Sequence, residues 1–337
     1  MTPQELNTHR YILGVDAGGT KTHALISDET GQVIGFGLAG PGNWEGVGLE
    51  GLADTLKKAI SQALEEAEIE IDDIYSCGMG LAGFDWPSQR MMILDAISSV
   101  GLKCPIEIVN DATLGILAGS AEGWGVSVVS GTGCNCRGWS KDFKREGRVV
   151  GGAGHWSGEY AGGYDIAARA MRAVTFEWNK RGPETNLTPT FIKLLGAKDL
   201  NDLVEGFYVG RYEFTPELIF LIFQIASQGD TEALNVMRWA GDELGQLACG
   251  VIRQLQFEDE IFDVILIGSL FEGHPLMKET MAETIHKTAP GARLVRLSEP
   301  PVIGGVILGM QIAGLDTRLP REQLVEALAR RKREVKV

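Results

Sequence analysis

Residues 11–27 read YILGVDAGGTKTHALIS, and the punctuation of that stretch decides the fold. Its first six residues are apolar and β-rich, DAGGT at 16–20 is a glycine turn, and 22–27 alternate as a half-buried strand. DETGQ at 28–32 then turns the chain into a third strand, VIGFGLA at 33–39. Two hairpins in succession make an antiparallel meander. Further along, apolar residues at three-to-four spacing predict a helix over about 49–66. A strand at 74–83, a helix at 88–100, a strand at 106–110 and a helix at 111–120 follow. Strands alternating with helices after an opening meander predict an α/β layered domain.

The pattern then restarts. WGVSVVS at 124–130 is a strand, GTG a turn, CRGWS at 136–140 a strand, KDFKREG a polar hairpin and RVVGG at 148–152 a third strand. The offset of roughly 115 residues predicts a duplicated lobe rather than a short-repeat solenoid. Residues 157–256 read as mostly helical. Strands at 262–270 and 292–297 then alternate with helices at 275–288 and 301–313, and a charged helix with a basic end closes the chain.

Composition narrows the function. A length of 337 residues with 44% hydrophobic side chains allows two packed domains. The formal net charge of −14 repels polyanions, which argues against nucleic acid and an anionic membrane as partners. An acidic protein that binds a nucleotide needs Mg²⁺ and backbone donors rather than a basic surface. The five cysteines (Cys77, Cys104, Cys134, Cys136 and Cys249) are odd in number and scattered, which predicts a reducing compartment and no disulfide framework. The first ten residues lack an apolar core. No run reaches the roughly 18 apolar residues that span a bilayer. A soluble, cytoplasmic protein is expected.

Three glycine signals each follow an apolar strand. In Asp16-Ala17-Gly18-Gly19-Thr20-Lys21, the turn leads into a strand, so it fits neither a P-loop nor a Rossmann turn. Gly18, Gly19 and Thr20 can still aim backbone N–H groups into one concavity, a nest for an anion. Asp16 would repel a bare phosphate but can hold Mg²⁺ through water while the metal bridges phosphates. Ser130-Gly131-Thr132-Gly133 occupies the matching place in the second lobe, and Ile267-Gly268-Ser269-Leu270 offers a glycine that lets a base or ribose approach. Two such loops facing each other across a cleft could enclose a triphosphate tail.

These residues resemble the actin/hexokinase/Hsp70 superfamily and, more narrowly, the BadF/BadG/BcrA/BcrD ATPase family, which includes N-acetylglucosamine kinase. The similarity runs over about residues 11–315, through VDAGGTKT, VVSGTGCNCRGW and ILIGSLF, with PGNW, GMGLAGFD, VNDA and SEPPVIGGVILG in the family's order. The resemblance implies an α/β protein with two duplicated ribonuclease H-like, actin-like ATPase lobes, mixed sheets flanked by helices, and an active-site cleft between the lobes. Residues 1–120 would form the first lobe, joined by a C-terminal helix at 315–337, and 121–314 the second, with a helical insertion. Glycines and prolines such as Gly123 and Pro300-Pro301 would suit hinge positions.

The same resemblance implies an ATP-dependent kinase of a hexose or amino sugar, N-acetylglucosamine or glucosamine above all, with ATP and Mg²⁺ as cofactors and a homodimer as its assembly. Asp111 matches the catalytic carboxylate; from the sequence alone it reads first as the start of a helix, and the two readings are compatible. Asp16, Gly18, Gly19, Thr20, Lys21, Ser130, Gly131, Thr132, Gly133, Gly268 and Ser269 match the nucleotide-binding positions. Asn43, Trp44, Asp85 and Asn110 fall in the acceptor region. Glu159 stands where the family carries a sugar-binding Asp, and Tyr160 replaces the Glu that follows it, a departure that bears on the choice of sugar. The wider family also contains ATP-driven activators of 2-hydroxyacyl-CoA dehydratases, for which Cys134 and Cys136 are the only tempting pair, and hexokinases of broad specificity. A sugar-binding regulator would need a DNA-binding segment that ten N-terminal residues cannot supply.

Overall fold

The computed structural model describes residues 9–150 and 158–334. The chain divides into two compact units, Met1–Trp124 with Leu297–Val337, and Gly125–Arg296.

The first unit is built on a five-stranded sheet. β1 (Tyr11–Ala17), β2 (Thr22–Ser27) and β3 (Val33–Ala39) form the antiparallel meander expected from the sequence. After α1 (Trp44–Ala67) the chain returns through β4 (Ile74–Leu81), parallel to β1. α2 (Arg90–Ser98) leads to β5 (Ile106–Asn110), parallel to β4, and α3 (Asp111–Gly119) follows at once. The sheet order is β3-β2-β1-β4-β5. Leu52, Leu56, Ala59, Ile60 and Ala63 make the apolar stripe of α1. That stripe meets Leu13, Val15, Ile26 and Met79 from the sheet in one buried core. α1 begins five residues before the expected position 49 because its first turn is set off by a break at Gly48 (φ 75°).

The second unit repeats the plan. β6 (Gly125–Ser130), β7 (Cys134–Trp139) and β8 (Glu146–Val149) form a second meander. The segment 151–157, including the glycine-rich stretch before Glu159, lies outside the described residues. Four helices come next: α4 (Gly163–Trp178), α5 (Leu187–Leu195), α6 (Leu200–Tyr208) and α7 (Pro216–Ser227). The long α8 (Thr231–Leu255) packs on β6, β7 and β8, as α1 packs on β2 and β3. β9 (Phe262–Ile267), α9 (Pro275–Thr288) and β10 (Ala292–Arg296) complete the unit. β9 runs parallel to β6, β10 parallel to β9, and the order β10-β9-β6-β7-β8 matches the first sheet strand for strand. The duplication is therefore visible in the topology.

The chain then re-enters the first unit with α10 (Val302–Ile312) and α11 (Arg318–Glu334). Residues 301–313, expected in the second lobe, belong to the first unit. Backbone contact explains where α10 goes: side chains at Gly14, Gly78 or Gly305 would collide with backbone across the α10–sheet contact. Only a glycine-lined strand pair can accept so close a helix. β1 and β4 are thus covered on both faces, and their residues are buried almost without alternation. No helix among the described residues is long and apolar enough to cross a membrane.

Candidate functional site

Parallel strands deliver their carboxyl ends to one edge of a sheet, which is where ligands of open α/β sheets bind. In the first unit that edge collects most of the residues singled out from the sequence. The register sets Asp16 of β1 beside Gly80 of β4, and Leu81 beside Asn110 of β5. The Gly18 N–H donates to the Lys21 carbonyl at 3.0 Å and closes the first glycine turn, leaving Gly19, Thr20 and Lys21 exposed at its tip. The Gly42 N–H donates to the Gly18 carbonyl at 2.9 Å, which draws the 41–44 segment onto this loop. His23, the cross-strand partner of Asp16, places Nδ1 3.8 Å from its Oδ2.

The acceptor-side residues interlock. Asn43 caps α1, its Oδ1 accepting the Glu45 N–H at 3.0 Å. The Trp44 indole Nε1–H donates to the Gly83 carbonyl at 2.8 Å. Buried Asn110 donates through Nδ2 to Asp85 Oδ1 at 3.1 Å and to the Phe84 carbonyl at 3.2 Å, while its Oδ1 caps α3 through the Ala112 N–H at 3.0 Å. Asp111 follows in the first turn of α3, with Oδ1 also accepting from Ala112 N–H at 3.0 Å. It stands in the first turn of the helix, at the positive end of the helix dipole. The helix-start reading of Asn110-Asp111 holds, with Asn110 as the cap and Asp111 as the first residue of α3.

Sequence reasoning missed Glu45. Burial first, and then the Asp85 carboxylate, push its carboxyl above the ordinary value. It was legible only as an acid in the first turn of a helix; its neighbour lies forty positions away in sequence.

In the second unit the Ser130–Gly133 loop is pinned by the start of α4. The Gly131 N–H donates to the Gly133 carbonyl at 2.9 Å, the Gly163 N–H to the Gly131 carbonyl at 2.8 Å, and the Ser130 hydroxyl to the Ala161 carbonyl at 2.8 Å. Gly268, with φ 107°, ends β9 against Ser130, and a side chain there would strike the Ser130 backbone. The second and third glycine signals are therefore in contact. A cavity of about 810 Å³ opens beside them, lined by Gly131, Thr132, Ser269 and Leu270 and walled on the far side by α7.

Glu159 lies in this second unit, near Cys134, whose Sγ–H donates to the Tyr160 carbonyl at 3.2 Å. Burial, followed by the charges of Glu159 and Asp165, pushes the Cys134 thiol up to about 12. Burial also holds the Cys136 thiol well above its usual value. Both thiols are thereby weak nucleophiles at neutral pH. No group of three His, Cys, Asp or Glu among the described residues could cage a metal. Mg²⁺ does not require one: it settles for one or two carboxylates, waters and phosphate oxygens. Asp16, at a strand end beside the first glycine turn, fits that role.

Residues 13–309 match the BadF/BadG/BcrA/BcrD ATPase family. The chain belongs to that family. Among proteins similar to it is an N-acetylmuramic acid/N-acetylglucosamine kinase of Clostridium acetobutylicum, 27% identical over 89% of this chain and 98% of that one. An N-acetyl-D-glucosamine kinase of Dictyostelium discoideum is 25% identical over 89% and 97%. Solved structures agree on the fold. A ROK family glucokinase from Streptomyces griseus, in complex with glucose and AMPPNP, superposes with a TM-score of 0.53 at 18% identity, covering 89% of this chain and 98% of that one. A ROK hexokinase from Thermus thermophilus gives 0.55 at 17% identity, over 90% and 99%. This family member thus shares its two-sheet architecture with sugar kinases across almost its whole length.

Proposed function

We propose that this ATP-dependent carbohydrate kinase transfers the γ-phosphoryl group of Mg-ATP to a hydroxyl of an amino sugar, N-acetylglucosamine or glucosamine, with Asp111 as the general base. The observation that carries the proposal is the gathering of Asp16, the Trp44–Gly83 and Asn110–Asp85 hydrogen bonds and Asp111 at one strand edge. The names of its relatives support the choice of acceptor.

In this reading Asp111 accepts the proton of the attacking hydroxyl, and α3 holds the carboxylate rigidly at the strand end. Asn110 orients Asp85 toward the acceptor's hydroxyls, while Asn43 and Trp44 supply an amide and an aromatic face. The backbone N–H groups of Gly19 and Thr20, and those of Thr132 and Gly133 in the second unit, take phosphate oxygens. Mg²⁺, held by Asp16 through water, would neutralise charge developing on those oxygens. Glu159 contributes a longer carboxylate than the family's Asp and so tunes which sugar fits. The protein would act in the cytoplasm, as a homodimer.

The test is ADP release with Mg-ATP against a panel of hexoses, hexosamines and their N-acetyl forms. Stimulation by an amino sugar is expected, and its loss with excess EDTA; no stimulation by any sugar would sink the kinase reading. Asp111→Asn should lower kcat by about 10²–10⁴-fold, the usual contribution of a general base, with sugar affinity nearly kept. Near-normal turnover would remove Asp111 from the role.

A further inference from the structure

The cavity beside the second and third glycine loops has a wall that no motif announces. Pro216, Phe220, Phe223, Gln224, Ser227 and Gln228 line it, at the three-to-four spacing of a single helical face. The opposite stripe of α7, including Leu218, Ile222 and Ile225, is buried in the unit. The lining stripe is chemically graded. Phe223, 8% exposed, packs against Gly273, whereas Phe220 is 62% exposed on the cavity side. The Ser227 hydroxyl already donates to the Phe223 carbonyl at 2.9 Å, and the Gly273 N–H to the Leu270 carbonyl at 3.1 Å. Glu272 accepts from Arg296 at 3.2 Å. The exposed side-chain amides of Gln224 and Gln228 are the uncommitted polar groups of the stripe.

A purine has two recognisable parts, a π-face and a hydrogen-bonding edge. An aromatic side chain holds the face of any base, so stacking is tolerant of sequence. Selectivity between adenine and guanine comes from the edge, and it is large only where fixed, buried donors or acceptors are left unpaired by the wrong base. A glutamine amide carries both a donor and an acceptor and exchanges them by turning its last torsion. An exposed one that finds no partner returns to water at little cost.

We propose that α7 is the nucleobase wall of this kinase, stacking the base on Phe220 and reading its edge only through Gln224 and Gln228, so that guanine and hypoxanthine nucleotides are accepted along with adenine ones. The proposal rests on the reading of this cavity as the nucleotide's. It makes Phe220 the residue that sets nucleotide affinity and leaves acceptor affinity alone.

The experiment is isothermal titration of MgADP, MgGDP and MgIDP onto the full chain, as wild type, Phe220→Ala and Phe220→Trp, with melting curves as a check on folding. Phe220 is mostly exposed, so both variants should fold. The wild type should bind the three nucleotides within about tenfold of one another. Phe220→Ala should weaken all of them by roughly tenfold or more, the usual effect of losing a base–aromatic stack, and Phe220→Trp should restore binding. GDP bound more than a hundredfold more weakly than ADP would overturn the tolerance, since only a fixed edge code gives such a gap. Unchanged ADP binding in Phe220→Ala would overturn the wall while leaving the cavity to the nucleotide. Failure of the wild type to bind MgADP would remove the nucleotide reading itself, and the wall with it.

Discussion

Asn43 commits its carbonyl oxygen to the start of α1, through the Glu45 N–H; in the proposed function its amide N–H₂ meets a sugar hydroxyl. The two duties can be separated. Asn43→Ala should cost about 1 kcal/mol of stability, the usual loss of a helix cap, and also raise the acceptor KM. Asn43→Asp retains the cap but removes the donor, so its melting temperature should hold while its KM rises; equal KM values for Asp and Asn would show that the amide does not touch the sugar. Glu45, next along, carries a pH signature. Its folded pKa lies above the ordinary carboxyl value, so the folded state binds more protons than the unfolded chain between the two values. Stability should therefore fall as pH rises through that window, and Glu45→Gln should flatten the fall in melting temperature. A wild-type profile identical to that of the variant would show that neither burial nor the Asp85 neighbour raises the Glu45 pKa. Asp16, Asn110 and Asp111 were legible in the sequence because each stands at the end of an apolar run, where the strand pattern itself flags the edge of a sheet. The Glu45–Asp85 encounter was not, because it depends on α1 and β4 being brought together by the whole fold.

At the scale of elements, strands and helices were readable as types, while their partners were less so. The opening meander and its repeat were plain from alternation and turns, and the paired sheets follow them strand for strand. α10 was recognisable as a helix, but nothing local states that it crosses back to the first unit. The signal was present in a form that single segments do not reveal: VIGGVILG carries small residues on one face, and so do β1 and β4 at Gly14 and Gly78. Matching glycines on three separated segments mark a close helix–sheet contact only once they are paired. That pairing predicts an asymmetry. Gly78→Ala adds a single methyl directed at the backbone of Gly305 and Gly309, which cannot step aside as a side chain would. It should destabilise the first unit by about 1–3 kcal/mol, the ordinary penalty for overpacking, read as a lower unfolding midpoint in urea. A midpoint equal to wild type would mean that α10 rides further from the sheet than its glycines require. α7 went unread for a different reason: within a long helical region its amphipathic pattern is like that of its neighbours, and only the cavity distinguishes its Phe and Gln stripe.

Over the whole molecule, one strand order is used twice and then given different chemistry. The first sheet presents carboxylates at its strand ends, Asp16 and Asp111, with Asn110 between neighbours. The second presents glycines at its strand ends, Gly131 after β6 and Gly268 after β9, beside an apolar-walled cavity. A proton-accepting carboxylate suits a sugar hydroxyl, and a nest of backbone N–H groups suits a polyphosphate; the overall charge of −14 makes that local supply of donors necessary. The division of labour is measurable by hydrogen exchange with one ligand at a time. A ligand present at a hundredfold over its Kd stabilises the structure it binds by about 2.7 kcal/mol, enough to slow exchange through opening of that structure roughly a hundredfold. MgADP alone should protect amides of 19–20, of 130–133, of 268–273 and of α7. The acceptor sugar alone should protect 42–45, 83–85 and 110–112. Sugar protection confined to the second unit would transfer acceptor binding to the Glu159 segment and strip Asn43 and Trp44 of their role. Nucleotide protection that spares α7 while covering both glycine loops would instead leave the phosphates in place and move the base elsewhere, which no change at Phe220 could then affect.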